Sequence, residues 1–397
     1  MASNELFKLS QERHEKTYAW ILEDIFTQNH APKPVDKEKQ PRIIVVAAQP
    51  GAGKSHLLDQ SKEEFMKEDG VIVINGDELR DYHPKATEIM KLDDKRYAEF
   101  TDPDSREWTR RLLEDVTKRR HNVIFECTFN NPGPIMATMQ RLHEQGYDVQ
   151  VKVMAVPREI SRLGIEYRYE RDKANSGYSR YTDPKYHDEA YGNFIKTLEK
   201  VEKESPITRI SVHTREKEVY RNSRAAPDKE WENPRAAEIA RGERGRALSE
   251  KDLVFLSEGW ERVIEWKKQR GATAKEVEVA AKEKQEIDII LQRRRQSHET
   301  NKGVKKKTLH ETPFDTSNHH VFQAKDDRVY NGKIVAVQKD KVFQEIAPGT
   351  LVEHKRSSVG PISAADTGKT FSISYEGKRT VTVKDISWLR ERGGVER

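Results

Sequence analysis

The chain has 397 residues, of which 35% are charged and 35% hydrophobic, and its formal net charge is +5 at pH 7. This length predicts two or three compact units, and the low apolar content indicates that part of the chain is solvated helix or linker. Because Cys127 is the single cysteine and the longest apolar run, 43–48, is too short to span a bilayer, we expect a soluble, cytoplasmic protein with no disulfide framework and no membrane contact.

The first predicted element is a helix at residues 5–28, followed by a polar, proline-containing hinge at 31–41. Short apolar runs then alternate with helix-like stretches, at 43–48, 71–74, 122–125, 149–156 and 207–212. Strands joined by helical crossovers are typical of a mostly parallel sheet. The sequence therefore predicts an α/β domain at residues 1–222, with a parallel sheet flanked by helices.

The first strand leads into a glycine-rich segment that has the character of a phosphate-binding loop. Its glycines let successive backbone N–H groups face one anion, and the next helix adds its positive N-terminal end. Lys54 would reach the β- and γ-phosphates and Ser55 would ligate Mg²⁺. Ala48 replaces the first glycine of the usual pattern. The expected nucleotide-binding residues are Gln49, Pro50, Gly51, Ala52, Gly53, Lys54, Ser55 and His56.

Two carboxylates follow predicted strands at the edge where parallel sheets bind ligands. Asp77 would lie beside the γ-phosphate and accept the proton of an attacking hydroxyl, although it could instead cap the next helix. Glu126 could bind a sugar or nucleoside hydroxyl, or Mg²⁺ through water, and an ion pair with an arginine is the alternative. Cys127 is interpreted as a small buried side chain, because no activating partner is visible.

Arginines are concentrated in and after a predicted helix at 157–172. Arg180 follows in a segment rich in glycine, serine and proline, which is suited to a loop that closes over the site. Arg168 and Arg180 could stabilise the negative charge of a transferring phosphoryl group. The alternative for any one of them is an ordinary solvent-facing side chain.

The character of the sequence changes near residue 224. Residues 223–308 form a charged region that is predicted to be largely helical, and its basic run at 302–307 could contact nucleic acid, although we favour a solvated linker. Residues 320–387 alternate with period two between turn signals. They predict a small β-rich domain within 309–397.

Several segments together resemble the zeta-toxin family of bacterial toxin–antitoxin systems, and they cover about residues 10–220. The matching segments, in order, are Gln-Pro-Gly-Ala-Gly-Lys-Ser at 49–55, Asp77 six residues before His83-Pro84, Glu126-Cys127-Thr128, 145–149, 154–157, 168–170 and 179–184. The resemblance implies a P-loop kinase-like fold.

The resemblance also implies that ATP and Mg²⁺ are used to phosphorylate the 3′-hydroxyl of UDP-N-acetylglucosamine or a similar UDP-N-acetyl amino sugar, which blocks cell-wall synthesis. By this correspondence Lys54 and Ser55 would hold the triphosphate and Mg²⁺, and Asp77 would be the base. Arg168 and Arg180 would clamp the phosphoryl group, while Glu126 and Thr128 would contact the acceptor. Asn130 stands where the family has a substrate-contacting arginine, and Arg110 stands near a family carboxylate. Another nucleotide, such as a dinucleotide cofactor, is therefore an alternative acceptor.

The β-rich region more weakly resembles small KfrB-type domains of plasmid-encoded proteins, through Gly332-Lys333-Ile334-Val335, 342–344 and 351–354. This resemblance implies a mobile-element setting and a possible contact with DNA, with a partner protein or with the chain's own kinase domain. A separate antitoxin is a further possible partner. The competing hypothesis is an ATP-regulated DNA- or partner-binding protein of a plasmid.

Overall fold

The computed structural model describes residues 7–27, 32–66, 70–307, 314–317, 319–338, 340–360, 362–376 and 380–385, and side chains in the last long helix are described up to residue 296. The ends of the predicted first helix at 5, 6 and 28, hinge residue 31, and the end of the predicted β-rich region at 386–387 lie outside these residues. The chain divides into two compact units, 1–293 and 294–397.

The first unit alternates strands and helices, as the sequence predicts. In chain order its elements are α1 (Gln11–Thr27), β1 (Arg42–Ala47), α2 (Lys54–Glu63), β2 (Ile72–Ile74), α3 (Gly76–Leu79), α4 (Ala86–Asp93), α5 (Tyr97–Lys118), β3 (Val123–Cys127), α6 (Pro132–Glu144), β4 (Asp148–Met154), α7 (Arg158–Ser176), α8 (Pro184–Glu204), β5 (Arg209–His213), β6 (Glu218–Ser223), α9 (Ala236–Gly245), α10 (Glu250–Gln269) and α11 (Ala274–Lys307), the last continuing past residue 293.

These strands form one six-stranded sheet in the order β2-β3-β1-β4-β5-β6. Neighbouring strands from β2 to β5 are parallel, and β6 is antiparallel to β5. The predicted α/β class with a mainly parallel sheet flanked by helices is confirmed. The sequence analysis did not predict the edge strand β6, because this strand is mostly polar in sequence and only half-buried in the fold.

The central strand β1 is buried on both faces of the sheet, which explains its unbroken apolar sequence. Ile43, Val45 and Ala47 join a core with residues of α1, α5, α6, α8 and α9. Ile44 and Val46 point to the opposite face, where residues of α2, α7, α10 and α11 form a second core. Successive side chains of a strand alternate between faces, so this single strand anchors both layers of helices.

Helices α9 and α10 belong to the first unit, although they lie in the region that the sequence describes as charged. Ala236, Ala237 and Ala240 of α9 are buried against the sheet. Helix α10 begins with a capping box between Ser249 and Asp252 and packs along α7. The change of composition near residue 224 therefore marks the start of the outer helices, and the compact unit continues to Arg293.

A buried ionic cluster joins the end of α10 to the middle of α7. Glu170 has no exposed surface, and its carboxylate lies 2.9 Å from Lys267 Nζ and 2.7 Å from Arg270 Nε. Burial by itself would raise the pKa of Glu170, but hydrogen bonds from Arg270 and Lys267 outweigh it and lower the pKa. The ion pairs of Glu170 with Lys267 and Arg270 are therefore maintained inside the fold.

The second unit contains a six-stranded sheet in the order β12-β11-β8-β9-β10-β7, which confirms the predicted β-rich region. Its strands are β7 (His320–Gln323), β8 (Val329–Val337), β9 (Lys341–Ala347), β10 (Thr350–Lys355), β11 (Thr370–Glu376) and β12 (Thr380–Asp385). Buried Gln344 donates through Nε2 to the carbonyls of Gly332 and Phe371, and its Oε1 accepts from His354 Nε2 at 3.0 Å. This network ties β8, β9, β10 and β11 together.

Replacing Glu170 with Gln should lower the free energy of unfolding of the first unit by about 3 kcal/mol, because it removes the fully buried carboxylate that Lys267 and Arg270 share and leaves them only the more exposed Glu166 and Glu276. Glu99→Gln is the matched control. Glu99 pairs with Arg96 on the surface, so its loss should cost under about 1 kcal/mol. Urea unfolding followed by the tryptophan fluorescence of the chain measures both values, and equal losses would contradict the proposed importance of the buried cluster.

Candidate functional site

The loop between β1 and α2 has the backbone that a phosphate-binding loop requires. Gly51 and Gly53 have φ angles of +76° and +94°, a region in which side chains are disfavoured. Helix α2 begins at Lys54, directly after Gly53. Buried Gln49 donates to the carbonyl of Val156 at 3.2 Å and so fixes the start of the loop next to β4. The N-terminal end of α2 is therefore presented at the carboxyl edge of the sheet.

The phosphate loop is held from behind by α7 and by the turn after β5. A Cβ atom on Gly51 would lie 2.1 Å from the carbonyl oxygen of Ser161, and one on Gly164 would lie 2.2 Å from the carbonyl oxygen of Gly51. Arg215 donates to the carbonyls of Gly51 and Ala52 at 3.0 and 2.9 Å. These contacts occupy loop carbonyls. The Ala52 N–H is bonded to the carbonyl of Gln49, and the N–H groups of the first turn of α2 have no partner within the helix, as at any helix N-terminus.

Lys54 and Glu126, two of the predicted site residues, form an ion pair. Lys54 Nζ lies 3.0 Å from Glu126 Oε1, and Asn75 Nδ2 donates to Glu126 Oε2 at 3.1 Å. The sequence left an ion pair with an arginine as the alternative for Glu126, and the partner is the lysine of the loop. The pair joins the ends of β1, β2 and β3 at one point.

Asp77 lies at the start of α3, with positive charges on several sides. Asn75 caps this helix, so Asp77 is not the cap. Arg180 lies 3.6 Å from Asp77 Oδ2 and Arg80 lies 3.4 Å from Asp77 Oδ1. Burial would raise the pKa of Asp77, but Arg180, Arg80, Lys54 and Arg168 together lower it. The carboxylate is therefore ionised at neutral pH.

The loop between α7 and α8 carries Arg180 to this carboxylate. Arg180 also donates to the backbone carbonyl of Asp77 at 2.8 Å. Arg168, on α7, donates to Thr182 of the same loop at 2.9 Å. Burial and the neighbouring charge of Arg180 lower the pKa of Arg168, which is what two cations placed close together produce. The structure thus brings Lys54, Asp77, Glu126, Arg168 and Arg180 to one place.

Thr128 and Asn130 lie just beyond β3 and face α8. Thr128 Oγ1 is 3.5 Å from the hydroxyl of Tyr186, and Asn130 accepts from Asn193 at 2.9 Å. Between them, buried Phe129 has a φ of +53° and packs on Phe194. Thr128 and Asn130 therefore both contact α8. In the part of the chain that the structure describes, their hydrogen bonds are with α8 and not with the charged residues around Asp77.

Ser55 and His56 occupy the first turn of α2. His56 Nε2 lies 3.1 Å from Gln60, one turn further along the same helix, and Ser55 is exposed. Among the described residues, no group of three or more His, Cys, Asp or Glu side chains could hold a metal ion. The Ser55 hydroxyl is an oxygen donor of the kind that Mg²⁺ prefers, and Mg²⁺ commonly takes few protein ligands together with phosphate oxygens and water.

Two other reactive groups near the site are held in structural positions. Burial raises the pKa of Cys127 to about 12, in agreement with a role as an inert side chain. Ser161, His187 and Asp188 form a hydrogen-bonded series, with Ser161 Oγ 2.8 Å from His187 Nε2 and His187 Nδ1 2.9 Å from Asp188 Oδ1. The serine and the histidine are completely buried, and the series joins the start of α7 to the start of α8.

The sequence analysis missed three residues that shape this site: Asn75, Arg80 and Arg215. Asn75 had a usable signal, because an asparagine directly before Gly76-Asp77 is a common helix cap. Arg80 had a weaker one, since it stands three residues after Asp77 and such spacing places both on one helix face. Arg215 had none, because it reaches Ala52 from 163 residues further along the chain.

A mainly parallel sheet with a glycine loop, a loop lysine and a carboxylate among arginines defines a P-loop kinase-like class of fold. A family model described as "Zeta toxin" matches residues 27–225, and the chain belongs to this family. A second family model, described as "KfrB Domain", matches residues 329–384 in the β-rich unit.

Two curated relatives and one solved structure illustrate the family. Toxin PezT of Streptococcus pneumoniae serotype 4 is 27% identical over 187 residues, which are 47% of this chain and 73% of the relative. Toxin zeta of Enterococcus hirae is 30% identical over 179 residues, which are 45% of this chain and 62% of the relative. A structure from the PezAT chromosomal toxin–antitoxin system of S. pneumoniae has 23% identity and a TM-score of 0.55 over 66% of this chain and 99% of its own. The relatives support the assignment of this chain as a toxin kinase of toxin–antitoxin systems, and the solved structure shares the fold.

Among the described residues, no helix is long and apolar enough to cross a membrane.

Replacing Gly51 with Ala should destabilise the first unit and abolish anion binding at the loop, because a Cβ there meets the Ser161 carbonyl as well as a disfavoured backbone. Gly146→Ala is the matched control, since Gly146 has a similar φ of +84° and open space around it. The control should lose only about 1–2 kcal/mol of stability, which is the cost of placing an alanine in the left-handed backbone region. Thermal unfolding and titration with ATP compare the two. Equal behaviour would contradict the close packing of loop and helix.

Proposed function

We propose that this protein is an ATP-dependent kinase toxin that phosphorylates a hydroxyl group of a nucleotide, with the 3′-hydroxyl of a UDP-N-acetyl amino sugar such as UDP-N-acetylglucosamine as the first candidate. The observation that carries the proposal is the position of the Asp77 carboxylate, 3.6 Å from Arg180 and among the charges of Arg168 and Lys54 beside the phosphate loop. Membership of the zeta-toxin family and the similarity to toxin PezT and toxin zeta support it.

In this proposal the phosphate loop and Lys54 bind the triphosphate, while Asp77 accepts a hydrogen bond from the acceptor hydroxyl and orients it in line with the γ-phosphorus. The acceptor oxygen forms a bond to phosphorus as the bond from phosphorus to the β–γ bridging oxygen breaks, and ADP leaves. The proton of the hydroxyl passes to Asp77. Arg168 and Arg180 stabilise the charge on the oxygens of the transferring group.

Magnesium would be held by the Ser55 hydroxyl together with oxygens of the nucleotide. When bound, the ion would neutralise negative charge on the β- and γ-phosphates. The exposed position of Ser55 at the N-terminal turn of α2 supports this assignment.

We propose that the acceptor binds at the residues that end and follow β3. Glu126 is near the end of the strand and Thr128 lies just beyond it, where Thr128 contacts Tyr186 and Asn130 contacts Asn193. Because Asn130 is neutral, this chain has one cation fewer toward an anionic acceptor than the family pattern implies. A dinucleotide cofactor remains the second candidate for that reason.

The test is a direct assay with ATP and Mg²⁺, using UDP-N-acetylglucosamine in one reaction and NAD in another, with products weighed by mass spectrometry. A gain of one phosphate on the amino-sugar nucleotide is the expected result. Phosphate on NAD alone would overturn the first candidate and keep the kinase. Absence of transfer to both, under conditions in which ATP binds, would overturn both acceptors.

A separate antitoxin protein is the proposed partner, supported by the toxin names of the relatives. We also propose that the β-rich unit contacts DNA or another protein, supported by the match to a KfrB domain. Expression should accordingly harm a host cell when the chain is produced alone, and co-expression with a cognate antitoxin should restore growth.

Asp77→Asn should lower turnover by about a hundredfold or more and leave ATP affinity within a few-fold, because general-base groups contribute on that scale and the phosphate contacts come from the loop. Glu88→Gln, at an exposed carboxylate on α4, is the control and should retain activity. Steady-state rates and calorimetric ATP titration measure the two effects. An active Asp77→Asn protein would remove Asp77 from the mechanism.

Arg180→Ala should lower turnover at saturating ATP by about a thousandfold, since an arginine that stabilises transition-state charge contributes on that scale. Arg171→Ala is the matched control, because Arg171 is half-exposed and pairs with its neighbour Asp172. Thermal unfolding checks that both variants fold. If folded Arg180→Ala works within a few-fold of the parent, the loop does not act on the phosphoryl group.

A further inference from the structure

A cavity of about 480 Å³ opens beside the phosphate loop, at the first turn of α2. It adjoins the loop directly and lies within the first unit. The lining side chains and backbone come from α2, from α7, from the turn after β5 and from α10, and include Gly53, Ser55, Leu163, Tyr167, Arg215 and Phe255. Four separate segments therefore converge on one concave surface next to the proposed triphosphate.

The lining has the chemistry that recognises an aromatic base. Phe255 is 46% exposed and lines the cavity, so its ring is accessible to a ligand there. The guanidinium carbon of Arg215 lies 5.2 Å from the centre of the Phe255 ring. Tyr167 is fixed at the other side by edge contact with Trp266. Aromatic rings and arginine planes are the groups on which nucleobases stack.

Arg215 connects this cavity to the phosphate loop. Its guanidinium holds the carbonyls of Gly51 and Ala52 while one side of it lines the cavity. Arg215 is half-buried, and its two hydrogen bonds to the loop fix the orientation of the guanidinium. A ligand whose phosphates lie on the loop would therefore extend past Arg215 toward Phe255.

We infer that this cavity is the site for the base of the nucleoside triphosphate, and that Phe255 of α10 is a specificity-determining residue that stacks on it. The inference rests on the proposed function, because it needs the triphosphate in the loop. It goes further by assigning a ligand contact to α10, which lies beyond residues 27–225 matched by the zeta-toxin family model. Helix α10 then has two roles, as a buried support for α7 and as one wall of the base site.

The experiment compares ATP with inorganic tripolyphosphate, which carries the phosphates without the base. Binding of each to the full chain is measured by calorimetry for the wild type, for Phe255→Ala and for Phe255→Trp. Phe322→Ala is the control, because Phe322 is an exposed phenylalanine in the second unit. Thermal unfolding is recorded for every variant.

We expect Phe255→Ala to weaken ATP binding by about fivefold to a hundredfold, which is the range for loss of one base–aromatic stack. Tripolyphosphate binding should stay unchanged, Phe255→Trp should restore ATP binding, and Phe322→Ala should behave as the wild type. An unchanged ATP affinity in Phe255→Ala, or an equal loss for both ligands, would overturn the base site. A wild type that binds neither ligand would instead overturn the proposed kinase function.

Discussion

The contact between the phosphate loop and α7 is the constraint on which the site depends. The backbone of Gly51 approaches the backbone of α7 so closely that neither Gly51 nor Gly164 has room for a side chain. This approach fixes the loop relative to the helix that carries Arg168. Because protein interiors transmit small displacements, a shift at this contact would move the anion-binding amides and the arginine together.

The charges of the site are balanced by groups from distant parts of the chain. Asp77 attracts arginines from α7 and from the loop after it, while Glu126 neutralises the lysine of the phosphate loop. The ionic cluster of Glu170, Lys267 and Arg270 then holds α7 from its other side. Positive charge can be concentrated near Asp77 because α7, which carries Arg168, is held in place by the separate ion pairs of Glu170.

Much of the fold was predictable because its signals are local. The unbroken apolar sequence of β1, the glycines after it and the period-two alternation of the second unit each depend on neighbouring residues. The polar edge strand β6 was missed, because a half-buried strand without apolar alternation has the composition of a loop. The packing of α9 and α10 on the first unit could not be predicted either. The sequence of a charged helix shows which of its faces is apolar, but it does not show which part of the protein packs against that face.

The candidate site divides in the same way. Lys54, Asp77, Glu126, Arg168 and Arg180 stand in segments that the family resemblance identifies, and the structure places them together. Asn75 and Arg80 were within reach of local capping and spacing rules. Arg215 was not, because its role exists only through contact with carbonyls far away in the chain. For Thr128 and Asn130, the nearest partners are on α8, which no local pattern indicates.

The series of Ser161, His187 and Asp188 has the atom order of a hydrolase triad, and its distances are those of good hydrogen bonds. A search by geometry alone would select it as a nucleophile. Both the hydroxyl and the imidazole are sealed beneath the phosphate loop, so no acyl group can approach, and burial lowers the pKa of His187 so that the ring stays neutral. Side chains that can cleave esters in an open cleft here link two helices, with Asp188 also bound by Arg158 and Arg162 and with Ser161 donating to the carbonyl of Arg158.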